Sequence, residues 1–194
     1  VERSRGLGDV YKRQHQSLAS GQPIGQRFHS APVIRHGDAK PVQLGHCHTA
    51  NGAWRIYAFS GKANPRSEAC SIWTLAEFLA NDSASPVVRY TPDGADIDSV
   101  IDVRAIYQIP HRDLERDDIP AFLTPEKGTL GLKDYEKVFC VDYRPEKSIY
   151  SMRGIDTTEG CVVIVRPDQY IATVLPIADH KQLAAFFELC LSAR

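Results

Sequence analysis

Cys70 is the residue in this 194-residue chain whose setting could most directly do chemistry. It stands one position before Ser71, where Ile72, Leu75, Ala76 and Leu79 begin to recur at helical spacing. The partial positive charge at a helix start stabilises a thiolate, so a cysteine placed there can act as a nucleophile. Dithiol exchange needs a second cysteine three positions on to resolve the mixed disulfide. That position is Trp73, and the run reads Cys70-Ser71-Ile72-Trp73. Two readings stay open: a lone thiol nucleophile at Cys70, or a half-buried cysteine at a helix start.

The other constellations carry less. His46-Cys47-His48 offers three soft ligands in a row, but on a strand His46 and His48 share a face while Cys47 points away. No second pair at zinc spacing follows. His111-Arg112-Asp113-Leu114 imitates a kinase catalytic loop, yet Asp118 stands where the asparagine belongs, and no V-A-I-K or D-F-G accompanies it. Asp93, Asp96, Asp98 and Asp102 lack the spacing and closing glutamate of a calcium loop, and read as a solvated turn and strand entry. Arg166 and Asp168 flank Pro167 at the bend of GCVVIVRPDQYIATVLP, Gly160 to Pro176, with no nucleophile or base close in sequence. Proline presets the turn conformation, so that bend is expected to be only a turn. No residue is therefore assigned a catalytic, cofactor-binding or metal role.

The elements that must position these residues follow from periodicity. Residues 15–27 are polar and aperiodic, the pattern of a linker. After an extended segment, Phe28 to Arg35, Asn51-Gly52 separates VQLGHCH from WRIYAF and predicts a hairpin. A helix is expected from Ser71, as N-cap, to about Asn81-Asp82. Apolar residues alternate with Asp102, Arg104 and Gln108 over Ile101 to Ile109, which predicts a half-buried strand. His111 to Leu123 reads as a short helix stopped by Pro120, and 124–133 as a loop. A short apolar strand, Val138 to Val141, precedes the 160–176 hairpin. Asp179 and Gln182 then form a capping box for a last helix whose inner stripe is Leu183, Phe186, Phe187 and Cys190. The sum is an α/β sandwich whose central strands are covered on both faces, in an order similar to a thioredoxin-like fold.

At 43% hydrophobic and 24% charged residues, the chain can bury one core and fits one domain. A net charge of −1 gives no field for nucleic acid or an acidic membrane. Five cysteines without C-x-x-C spacing fit a reducing compartment, so the chain is expected to be cytoplasmic. No apolar run approaches the roughly 20 residues of a membrane span. Ser4 to Gln14, SRGLGDVYKRQ, matches a reading frame of a sequencing-library adaptor. It is expected to be foreign, so Gly6-Leu7-Gly8 is not offered as a phosphate loop.

The segments GQRFHSAPVIR (25–35), DAKPVQLGH (38–46), WRIYAF (54–59), GADIDSVIDVRAI (94–106), DYEKVFCVD (134–142) and RGIDTTEGCVVIVRPDQYIATVLP (153–176) resemble the C-terminal domain of flavin-dependent phenol hydroxylases. Their order and spacing extend the resemblance from about Gly25 to the end, and it is strongest to the 3-hydroxybenzoate 4-monooxygenase type. It implies a thioredoxin-like three-layer sandwich over 28–194, with a mixed central sheet, without the redox cysteines, and holding a homodimer together. It also implies upstream domains that bind FAD and a phenolic substrate. The full-length enzyme would use NADPH and oxygen to hydroxylate the ring ortho to an existing hydroxyl. No G-x-G-x-x-G follows a strand here, so this fragment is expected to bind no cofactor and to be inactive alone.

Overall fold

A computed structural model describes residues 14–191 apart from Glu68 and Tyr143. Gly6-Leu7-Gly8 and the rest of residues 1–13 lie outside the described residues. The strands are β1 (Pro32–Arg35), β2 (Lys40–Gln43), β3 (Trp54–Ser60), β4 (Ile101–Tyr107), β5 (Glu126–Lys127), β6 (Leu132–Lys133), β7 (Val138–Cys140), β8 (Gly160–Val165) and β9 (Ile171–Pro176). The helices are α1 (Ser71–Asn81), α2 (Pro86–Tyr90), α3 (Ile149–Arg153) and α4 (His180–Cys190).

Seven strands form one sheet in the order β2-β1-β7-β4-β3-β8-β9. β4 runs parallel to both β3 and β7, while β8 is antiparallel to β3 and β9 to β8. The sheet is mixed because β3 returns to β4 through helices, whereas β8 returns to β9 through a tight turn. One face presents Ile56, Ala58, Val103, Ala105, Val162 and Ile164 to α1 and α4. The other presents Tyr57, Phe59, Ile106 and Val163 to Ile149 and Tyr150 of α3 and to Ala19, Ala31 and Leu44. Three layers result, as the apolar runs of β3 and β8 require. Among the described residues, no helix is long and apolar enough to cross a membrane.

Several expectations need correction. Residues 15–27 are not a free linker but a strap lying on the second face. Ala19 and Gln22 are fully buried, Ala19 and Arg27 make β-bridges to Ile155 and Tyr170, and the Gln22 amide exchanges hydrogen bonds with the His29 backbone. Asn51-Gly52 does not join paired strands. Gly52 takes the expected positive φ, but β2 pairs with β1 across a turn closed by Ala39 at φ 54°, and β3 pairs with β4 and β8. His46 ends a short 3-10 turn, Leu44–His46, so strand alternation does not govern the His-Cys-His run. Every residue of β4 is buried, Asp102 and Arg104 included. His111 to Leu123 is not a helix but two 3-10 turns, Arg116–Asp118 and Ala121–Leu123, on either side of Pro120. The 124–133 loop contains the β5-β6 hairpin.

At the helix starts, Cys70 rather than Ser71 holds the N-cap position of α1. Asp179 caps α4 by accepting from the Gln182 N–H at 3.0 Å. Cys190 is exposed, because the inner stripe of α4 runs Leu183, Ala184, Phe187 and then on to Leu191.

Candidate functional site: a covered thiol and a buried ion network

Cys70 stands where the sequence put it, at the start of the helix that follows a central strand, but its side chain is only 1% exposed. Two contacts hold the 115–118 turn near the start of α1. The Trp73 indole N–H donates to the Asp118 carbonyl at 2.9 Å, and Arg66 Nε donates to the Asp118 carboxylate at 3.0 Å. Asp118 also accepts from the Glu115 N–H, which fixes the turn that lies against α1. Next to it is an open cleft of about 510 Å³ lined by Arg66, Ser67, Trp73, Thr74, Glu77, Asp117 and Asp118, to which Cys70 does not contribute. The residue at the place of a resolving thiol thus fastens the 115–118 turn to α1, while Cys70 is buried in the apolar cluster that includes Leu114 and Leu123. None of the five cysteines is in a disulfide, and burial pushes the Cys140 thiol up to about 12 and raises the Cys161 thiol as well. We expect native iodoacetamide labelling, followed by peptide mass mapping, to mark Cys190 and half-buried Cys47 while sparing Cys70, Cys140 and Cys161 until denaturant is added. Native labelling of Cys70 at the rate of free cysteine would restore the nucleophile reading.

The charged residues that periodicity placed in solvent form the other distinctive cluster. Lys137 Nζ donates to Asp98 Oδ2 and to Asp102 Oδ1, both at 2.6 Å. Arg104 Nε donates to Asp102 Oδ2 at 2.9 Å, and Arg55 Nε lies 3.8 Å from the same oxygen. Lys127 reaches Asp98 at 2.8 Å from the β5-β6 hairpin. Burial alone would push the Asp102 carboxyl up, but Arg104 and Lys137 outweigh it and hold it below the usual carboxylate range. The same balance, with Lys127 and Lys137, depresses Asp98. Of the acidic group expected in solvent, Asp93 is exposed and Asp96 half-buried, while Asp98 and Asp102 belong to this network. A charge buried without partners would be prohibitive, so the pairing explains how charged residues sit inside β4 and β7's approach.

The remaining motifs resolve simply. Arg166 and Asp168 pair with each other across an exposed turn in which the Gln169 N–H donates to the Arg166 carbonyl and Gln169 takes a φ of 70°. His48 faces the Tyr57 hydroxyl at 3.4 Å. Among the described residues, no group of three or more His, Cys, Asp or Glu side chains could hold a metal ion. In the His111-Arg112-Asp113-Leu114 turn, Leu114 is buried and its carbonyl meets His36 Nε2 at 2.9 Å.

At the end of β3 the described residues do not offer the glycine turn that an FAD needs. A dinucleotide site needs a glycine turn after a strand that opens space for a pyrophosphate at a helix start. The glycine that follows β3, Gly61, is instead packed on backbone: a Cβ there would lie 2.4 Å from the Thr158 carbonyl oxygen. The end of the strand is filled by the chain itself.

Residues 5–194 match the family described as phenol hydroxylase, C-terminal dimerisation domain. The chain belongs to this family. Relatives agree with that: the chain is 50% identical over 180 residues to the 3-hydroxybenzoate 4-monooxygenase of Comamonas testosteroni, covering 92% of this chain and 28% of that protein. It is 33% identical over 183 residues to the FAD-dependent monooxygenase terD of Aspergillus terreus, covering 93% of this chain and 30% of that protein. This phenol hydroxylase dimerisation domain therefore spans under a third of the length of these relatives. Among solved structures, a thioredoxin-like protein from Bacteroides caccae superimposes with a TM-score of 0.53 at 13% identity, covering 95% of this chain and 56% of that one. A peroxiredoxin-like protein from Aquifex aeolicus gives 0.50 at 12% identity, covering 87% of each. The domain has the α/β thioredoxin-like fold, with its mixed central sheet and without the cysteine pair.

Proposed function

We propose that this domain is the dimer-forming C-terminal part of a flavin-dependent aromatic hydroxylase acting on a phenol or a 3-hydroxybenzoate, and that it does no chemistry itself. The half-identity to the Comamonas monooxygenase over nearly the whole domain carries this reading. FAD, NADPH and the phenolic ring would be handled upstream in the same polypeptide, where the cofactor supplies the oxygen-transfer chemistry and the protein positions it. Support from the domain's own residues is structural: a thioredoxin-like frame whose Cys70 thiol is buried, and a strand end, at Gly61, packed on backbone. We also propose that Ser4 to Gln14 is adaptor-derived and that residues from the strap onward are native.

A domain exchange tests the proposal. When this chain replaces the C-terminal domain of the Comamonas enzyme, the chimera is expected to be a dimer that retains FAD and substrate-dependent NADPH oxidation. A chimera that folds and keeps its flavin but is monomeric would contradict it.

A further inference from the structure

Between β4 and β7 the chain makes an excursion, residues 124–136, that leaves the main sheet and forms the separate β5-β6 hairpin. Its base is anchored: Lys127 pairs with Asp98 at 2.8 Å, the Gly128 N–H donates to Asp96 at 2.9 Å, and the Asp134 N–H donates to the Pro125 carbonyl at 2.9 Å. Lys137, which joins Asp98 to Asp102, ties this base into the buried ion network of the sheet. Beyond the base, every residue from Gly128 to Lys133 is exposed, with Leu130 at 81% and Leu132 at 67%. Tyr135, 41% exposed, follows the hairpin, and Arg116 donates to its hydroxyl at 2.7 Å.

Single exposed leucines are ordinary, but two of them on one anchored arm leave apolar surface in water at its tip. The charges around that patch indicate its occupant. Glu126 and Lys133 are cross-strand partners, both exposed, and neither makes an ion pair among the described residues. One acid and one base at matched positions are complementary to themselves under a two-fold axis, which sets each Glu126 against the other copy's Lys133 around an apolar centre. We propose that this arm is the surface through which two copies of the domain meet. The proposal rests on the dimer-forming reading above and names the surface that reading lacks.

Light scattering after size exclusion, over a dilution series of the purified chain, tests it. Leu130→Asp/Leu132→Asp is expected to raise the dimer Kd roughly thirtyfold or more, with unchanged circular dichroism because both side chains face solvent. Leu189→Asp, at an 89% exposed leucine on α4, serves as the control and leaves the dimer intact. Glu126→Lys and Lys133→Glu each weaken association, and the double exchange restores it. If the wild type dimerises and Leu130→Asp/Leu132→Asp does so equally, the arm is not the interface. A wild type that is monomeric throughout overturns the dimer-forming reading, and the arm with it.

Discussion

Lys137→Met is expected to lower the stability of the domain by about 3–5 kcal/mol, the range for removing one partner from a buried charge cluster. Lys137 is 3% exposed and holds Asp98 and Asp102 together by two short hydrogen bonds. Methionine fills the space but leaves both carboxylates short of a cation. Arg166→Met, which breaks a half-exposed pair, should cost no more than about 1 kcal/mol.

The same network fixes a pH dependence. Asp98 and Asp102 have native pKa values below those of the unfolded chain, so their contribution is complete above the unfolded value of roughly 4. It is lost as pH falls through the lower native values. In Lys137→Met the native values rise, and the acid limb of the unfolding curve moves to higher pH. Thermal melts between acidic and neutral pH would show this; identical acid limbs for wild type and variant would count against it.

Phe187→Ala is the second large effect, at about 3–5 kcal/mol from lost burial and the cavity left behind. Phe187 is fully buried under the sheet, edge-to-face with Trp54 at 5.6 Å and with Phe186 at 5.2 Å. With Phe186 it packs α4 against Trp54 of β3, so its loss loosens the last helix. Urea unfolding should show a lower midpoint at an unchanged slope, and a fall in Tm of roughly 10 °C. A shift smaller than that of Arg166→Met would mean that α4 is not packed as described.

What could be read from the residues was whatever is encoded locally. The 160–176 hairpin, α1 and α4 have apolar periods and caps within a few residues of each other, and each lies within a residue or two of its expected place. The Asn51-Gly52 turn misled because strong local turn chemistry says nothing about which strand lies alongside: the partners of β3 are Ile101 to Ile106 and Gly160 to Val165. The actual β1-β2 hairpin carried a signal in His36-Gly37-Asp38, a turn-forming cluster between PVIR and KPVQ. Asp102 and Arg104 were read as a solvent face because alternation distinguishes polar from apolar, not paired from unpaired. Lys137, which pairs with Asp102, stands just before β7 and 35 positions along the chain from that aspartate. The spacing puts Cys70 at a helix start, but the apolar cluster that buries it includes Leu114 and Leu123, far along the chain. Access to a side chain is a tertiary property.

We propose that this domain associates with itself and offers no flavin site. Sedimentation equilibrium of the purified chain in the presence of FAD, followed by both protein and flavin absorbance, tests both halves at once. The expected result is a species of twice the 21.6 kDa chain mass with the flavin left unsedimented. A monomer at every concentration, or flavin that sediments with the protein at one per chain, would contradict it.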